Sequence, residues 1–357
     1  MQKVQIGYGS YGEDFVAPGD RRRFTGFAAR NDISLVNVWT TENTAACSVL
    51  TLGGDISRWK ELKRRKTPVV LDIVDAYLDE PMFSVRRHLR GIYKSVKRDF
   101  KIPTLNYSKL LREVITNVDA IVCASEEQRD FLRTLNPNVH AIVDCFDEII
   151  TDRPLDPTSG ETIRLLWEGF PENLCHFTVL ADSLTQLAKS NKVELTVVTA
   201  IAEGGRRRRA LEDFAVMTKN WGVEVQVRPW SVENLKHESA TATIGIIPID
   251  AKNRMAWLKS ENKMLGFWAL GIPVMASATS SYSRTGEVSQ AVNSAVHNSD
   301  WFRALNEMCS SQSLRQQNAE AGYALAQKIC RGHAVDQQWK NVLQSIDVNI
   351  DVGDKSQ

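Results

Sequence analysis

Apolar and polar positions along this chain follow two alternating periods. Short blocks in which nearly every position is apolar read as strands covered on both faces of a sheet. KVQIGY from Lys3, ISLVNV from Ile33, CSVLTL from Cys47, PVVLDIV from Pro68 and VDAIVC from Val118 are of this kind. VHAIVDCFD from Val139 adds another strand. Between the strands, apolar residues recur three and four apart, as from Ile56 to Lys66, from Leu110 to Thr116 and after Ser125. That spacing predicts helices. The pattern restarts at Ile163 with IRLLWEG and continues through LTVVTA, VEVQVRPW, ATIGIIPID and IPVMAS. Helices are predicted over Trp301 to Met308, Leu314 to Cys330 and Gln337 to Ile346. Strand and helix alternate in both halves, so the chain is α/β, with two Rossmann-like domains built on parallel sheets. DRPLDPTSG, from Asp152, is a polar, proline-containing linker. It divides the chain into a domain over 1–152, a second over 161–330, and a closing helix and tail over 331–357.

Composition narrows the class without naming a function. At 357 residues each half is long enough for its own core. A formal charge of +1 exerts no chain-wide pull on nucleic acid. Six cysteines are scattered without C-x-x-C spacing, which predicts reduced thiols rather than a disulfide framework or a metal site. MQKVQIGYGS carries no apolar signal region, and no apolar run approaches about 18 residues, so a cytoplasmic protein is expected. Charge is uneven, however. From Arg86 to Lys101 cations recur around an apolar stripe, with Asp99 the sole nearby acid. A solvated helix face accounts for this, and so does a surface that rests on an anionic membrane or holds an anionic acceptor. No aromatic residues interleave in the manner of a base-stacking surface, so a nucleic-acid partner is not expected.

Candidate chemistry gathers at predicted strand ends. After the first strand, Gly7, Gly9 and Gly12 form G-x-G-x-x-G. No acidic residue ends a second strand at dinucleotide spacing, so Gly9 more simply lets backbone approach a ligand or turn tightly. Asp20 is placed to cap a helix whose first turn carries Arg21, Arg22 and Arg23. Cations there oppose the helix dipole, which calls for an anionic partner or a solvated basic face. Asp75 ends the strand from Pro68 and is a candidate to orient an acceptor hydroxyl or act as base; a strand-end hydrogen bond is the plainer account. Ser125 with Gln128 reads as a capping box at another strand end. In the second half, strand exits at Glu168, Gly169, Thr199, Arg228 and Ile249 converge on one edge. Gly204 and Gly205 precede four arginines, which read as a solvated helix start.

The densest signal is WLKSENKMLGFWALGIPVMAS, from Trp257 to Ser277. Ser260 is a plausible N-cap by residue type, Gly271 a stop, and Pro273 prevents the helix resuming. Lys259, Ser260, Asn262 and Lys263 cluster at the helix N-terminus, where free N–H groups and a partial positive charge suit a diphosphate. A capped amphipathic helix with solvated lysines explains the same pattern.

This stretch resembles the nucleotide-sugar signature of GT-B glycosyltransferases, the group that includes the retaining glycosyl transferases group 1. Weaker similarity runs from Gly19 to the helix near Trp301. The resemblance implies two Rossmann-like domains facing across a cleft, and a last helix crossing back to the first domain. It implies a nucleotide-diphosphate sugar as co-substrate in the C-terminal half, with no metal or other cofactor. The acceptor, a glycan, lipid-linked or protein hydroxyl, would lie in the N-terminal half near Gly9, Arg21, Arg22 and Ser125. Trp230 and backbone at Arg228 would border the nucleobase. The two glutamates that many retaining members carry align with Leu258 and Gly266, which leaves Glu261 and Asp250 as candidates in their place. A basic residue common after the first strand of the second domain is replaced by Glu172 and Asn173. The implied activity is hexosyl transfer in glycan, polysaccharide or glycolipid synthesis, in the cytoplasm or at the inner membrane face. The alternative is a non-catalytic GT-B-like module that binds a nucleotide sugar or a protein.

Overall fold

The computed structural model describes residues 4–12, 15, 17–40, 45–74, 100–104, 106–152, 162–201 and 204–350. The chain forms two compact units. One comprises residues 1–145 with 331–357, the other 146–330.

The first unit holds β1 (Gln5–Gly9), β2 (Ser34–Asn37), β3 (Ser48–Thr51), β4 (Val69–Ile73), β5 (Ala120–Cys123) and β6 (Val139–Ala141). They pair in the order β2-β1-β3-β4-β5-β6, all parallel. The central strands β3, β4 and β5 are buried at every position, because helices cover both faces. Edge strand β2 is partly exposed along its length, with Asn37 exposed at its end. On one face, helices Phe24–Arg30 and Gly332–Gln344 pack together. The Phe24 and Trp339 rings meet edge-on at 4.9 Å, and Asp336 accepts from Arg30 at 2.6 Å and from Asn31 at 3.0 Å. Helices Trp59–Arg64, Tyr107–Asn117 and Glu126–Arg133 cover the other face.

The second unit holds β7 (Thr162–Gly169), β8 (Lys192–Thr199), β9 (Glu224–Pro229), β10 (Ile244–Ile247), β11 (Val274–Ser277) and the two-residue β12 (Ala295–Val296). Their order is β12-β11-β10-β7-β8-β9, again all parallel. The chain builds outward from β7 through β9, then returns to the other side of β7 with β10. In such sheets the ligand crevice lies beyond the carboxyl ends of the two strands flanking that reversal.

Asn318, fully buried on helix Gln312–Ile329, fixes the elements behind this point. Its carbonyl oxygen accepts from Val274 N–H at 2.8 Å and from the Trp268 indole at 3.2 Å. Its amide donates to the Val274 and Val292 carbonyls at 3.0 and 2.7 Å. Helix Asn262–Ala269, which carries Trp268, is thereby tied to β11. Gly322 permits the close approach, since a methyl there would lie 2.2 Å from the Trp268 indole. All six cysteines are free thiols, four of them buried. Among the described residues no helix is long and apolar enough to cross a membrane.

Candidate functional site

The exits of β7 and β10 are occupied by polar groups held on rigid elements. Lys263 lies in the first turn of helix Asn262–Ala269. Its ammonium donates to the Glu168 carbonyl at 2.8 Å and sits 4.9 Å from the centre of the Trp167 ring. The space it uses is left by Gly169, where a Cβ would come within 2.4 Å of Nζ. The residue as a whole is half-buried, with its ammonium set between that carbonyl and that ring. Desolvation pushes its pKa down to about 8; the nearby Glu168 carboxylate opposes this and Lys259 adds to it. Ser260, expected to cap the helix, does not. The helix begins at Asn262, and the capping position falls to Glu261, which makes no side-chain cap. Burial and an ion pair draw Glu261 elsewhere: it is 3% exposed and bound to Arg284 at 2.7 Å. The N-cap residue therefore places no side chain on the first N–H groups of the helix.

On one side of the reversal, three strand exits are laced together. A carboxylate oxygen of Glu168 accepts from the Trp230 indole at 2.8 Å. The Trp230 N–H donates to the Thr199 carbonyl at 2.8 Å, and the Thr199 hydroxyl to the Gly169 carbonyl at 2.6 Å. On the other side, Ile249 N–H donates to the Ser277 hydroxyl at 2.8 Å, which donates to Asn298 at 2.9 Å. Asp250 N–H donates to Nδ1 of His176 at 3.2 Å. His176 lies in the 3-10 turn Pro171–Val179 that follows β7, and is 4% exposed. Burial, with Lys259 and Lys263, pushes its pKa below the usual value, against Asp250. The ring is therefore neutral. Because Nδ1 accepts a hydrogen bond, the proton is on Nε2. The side chain of Asp250 accepts from Lys252 N–H at 2.9 Å, and the Lys259 carbonyl from Ser281 at 2.7 Å. Lys259, Ser260 and Asn262 are half-buried along the approach to the helix. Two lysines, a helix N-terminus without an N-cap side chain and the His176 Nε2–H thus lie near the point where the strand order reverses, a set of donors suited to an anion.

Solved structures share this architecture. Anabaena HepE in complex with UDP and glucose superposes with a TM-score of 0.64 at 11% identity, over 96% of this chain and 100% of HepE. The fold is that of the GT-B glycosyltransferases. A sucrose-phosphate synthase from Thermosynechococcus elongatus gives a TM-score of 0.60 at 12% identity, over 85% of this chain and 74% of that one. S. aureus TarM, solved with UDP, gives 0.55 at 10% identity; the match takes in 83% of this chain but only 55% of TarM. No family model and no curated protein matches the sequence.

Within this GT-B fold, the structure brings together Gly169, Trp230, Asp250 and Lys263, with Lys259, Ser260 and Asn262 on the same segment. The Arg228 guanidinium is not among them: it turns to Glu238 at 3.1 Å and Gln226 at 2.6 Å on the exposed edge. The four arginines after Gly205 are exposed on helix Gly205–Thr218, where Arg207 pairs with Glu172 and Arg208 with Glu212.

The remaining candidates belong to the first unit. Gly9 ends β1, buried, with its carbonyl accepting from Thr51 at 2.8 Å. Asp20 does not cap a helix of arginines. Its buried carboxylate accepts from the Tyr8 hydroxyl at 2.6 Å and from the N–H groups of Tyr11 and Gly12 at 2.9 and 3.1 Å, folding the glycine-rich loop around it. Arg23 is fully buried rather than part of a basic face, whereas Arg21 and Arg22 are half-buried. Burial and Arg22 push the Arg21 guanidinium down, against Asp144. Ser125 accepts from Gln128 N–H at 3.2 Å, and the Gln128 side chain accepts from Ala124 N–H at 3.1 Å, so Ser125 acts as a cap. Asp75 and nearly all of the basic segment from Arg86 lie outside the described residues.

Sequence reasoning named Glu168 only as a strand exit and passed over His176. A lone histidine in a turn has no periodicity or spacing to mark it.

Proposed function

We propose that this protein is a glycosyltransferase that moves a hexosyl group from a nucleotide-diphosphate sugar to an acceptor hydroxyl in glycan, polysaccharide or glycolipid synthesis. The observation that carries the reading is the Lys263 ammonium, held on the Glu168 carbonyl under Gly169 at the reversal of strand order. HepE and TarM, which share the fold, were each solved with UDP. Transfer requires the bond from the anomeric carbon to the diphosphate to break while the acceptor oxygen bonds to that carbon and gives up its proton, to the departing diphosphate or to solvent. Negative charge grows on the departing diphosphate, and Lys259, Lys263 and the helix N-terminus stabilise it without a metal ion. Trp230, fixed by Glu168 and Thr199, offers an aromatic face to the nucleobase. The acceptor is held by the first unit. The basic segment from Arg86 to Lys101 brings the cytoplasmic protein to an anionic membrane surface.

Incubation with nucleotide sugars tests this reading: free nucleoside diphosphate should accumulate from one of them only when an acceptor hydroxyl is supplied. Equal release with and without acceptor would contradict it. A non-catalytic nucleotide-sugar-binding or protein-binding module is the second reading. It is favoured by Leu258 and Gly266 at the positions of the family's glutamates and by the engagement of Glu261 with Arg284.

Gly169→Ala is expected to push the ammonium off the Glu168 carbonyl. Losing that placement should weaken UDP binding about tenfold, the equivalent of one hydrogen bond of about 1–1.5 kcal/mol. Calorimetric titration reads the change, and an unaltered affinity would separate Lys263 placement from donor binding.

A further inference from the structure

We propose that His176 is a ligand of the donor diphosphate, giving its Nε2–H to a phosphoryl oxygen beside Lys263. This rests on the reading of the β7–β10 exit as the donor site. Three observations converge on it.

The first is the tautomer. Asp250 N–H occupies Nδ1 at 3.2 Å, so the neutral ring can carry its proton only on Nε2. Burial and the charges of Lys259 and Lys263 keep the ring neutral, with Asp250 the opposing charge.

The second is the state of that proton. Among the described residues Nε2 is buried and has no hydrogen-bond partner. Buried side-chain N–H groups are nearly always paired, because leaving one unmade forfeits its hydration with no return. An N–H held in this way implies an acceptor that arrives with a ligand.

The third is position. His176 leaves β7 in the turn Pro171–Val179, and its ring is anchored to backbone leaving β10. The imidazole thus bridges the two strands that flank the reversal. Donors collect around it: two ammonium groups and an uncapped helix N-terminus of eight residues. The carboxylates nearby are engaged, Glu168 with the Trp230 indole and Asp250 with Lys252 N–H. A ligand oxygen with several lone pairs and negative charge satisfies this set, as a phosphoryl oxygen does. A neutral imidazole adds a directed donor without a third positive charge that the unliganded site would have to accommodate.

The test uses the full chain, with UDP, inorganic pyrophosphate and uridine as probes. His176→Asn keeps an acceptor for Asp250 N–H but no longer reaches the Nε2 position. His176→Gln restores an N–H there. Expected is a loss of UDP and pyrophosphate affinity of about tenfold or more in His176→Asn, substantial recovery in His176→Gln, and no change for uridine. In the nitrogen-15-labelled wild type, the His176 Nε2–H proton signal should move downfield as UDP saturates. UDP affinity within twofold of wild type in His176→Asn would overturn the proposal alone. So would an unmoved Nε2–H signal at saturation, which decides the matter if His176→Asn does not fold. A wild type that binds no nucleoside diphosphate would overturn the donor-site reading, and this proposal with it.

Discussion

Asp72→Ala is expected to destabilise the first unit by about 3–5 kcal/mol. Asp72 on β4 and Arg23 are both fully inaccessible to solvent. The guanidinium grips the carboxylate through Nη2 at 2.7 Å and through Nε at 3.0 and 2.9 Å. Its remaining N–H groups reach the Ile142 carbonyl at 2.8 Å, Asp144 at 3.4 Å and the Cys123 carbonyl at 3.4 Å. One arginine therefore binds the ends of β4, β5 and the segment after β6. Removing the carboxylate leaves a fully buried cation with only the longer ion pair to Asp144, in a medium that solvates it poorly, and that undercompensated charge is the origin of the large effect. Urea unfolding measures it. Replacing both partners by apolar residues, Arg23→Met with Asp72→Leu, should recover most of the loss, because neither charge then remains. A cost below about 1 kcal/mol for Asp72→Ala would mean that the pair is not the centre of this unit's polar core.

Lys263→Met is expected to act in opposite directions on stability and on binding. The Lys263 pKa falls from its ordinary 10.5 to about 8 on folding. Between pH 8 and 10.5 the unfolded chain therefore holds more protons than the folded one, and stability rises with pH across that window. Below pH 8 the cost of enclosing the charge is present in full. Removing the charge at pH 7 should stabilise the second unit by about 1–3 kcal/mol, after allowance for the lost bond to the Glu168 carbonyl. Affinity for UDP should fall about 10- to 100-fold, as for loss of a charge-assisted hydrogen bond. In the wild type, UDP should restore the lysine's affinity for its proton. Binding at pH 8.5 should then take up protons, visible by calorimetry in buffers of different ionisation enthalpy. A destabilised variant with unchanged UDP binding would reduce Lys263 to a packing residue.

The parts of this molecule written in local pattern are legible in its sequence. Strands enclosed by helices must be apolar at nearly every position, and β4, β5, β10 and β11 are, while β3 is buried throughout with Ser48 and Thr51 at its ends. Their alternation with amphipathic helices led to two parallel sheets. β12 escaped because two residues carry no period. Which anion partners Arg23 was not legible, for a different reason. Arg23 is buried by a partner 49 residues away, and nothing local distinguishes a cation with a distant carboxylate from one in water. Ser260 looked like an N-cap because its residue type favours caps. The chain instead starts the helix at Asn262 and ties Glu261 to Arg284, so the N-cap side chain makes no cap. The lysines were legible as a cluster, but the enclosure of Lys263 by Trp167 and Glu168 depends on strand order, and strand order is not local.

The most direct test of a donor site at the β7–β10 exit is titration of UDP, GDP, ADP, CMP and dTDP into the wild type and into Lys263→Met. Saturable binding of one nucleotide by the wild type, lost or greatly weakened in Lys263→Met, is the predicted result. Equal affinity in both proteins, or no binding of any nucleotide by the wild type, would contradict it.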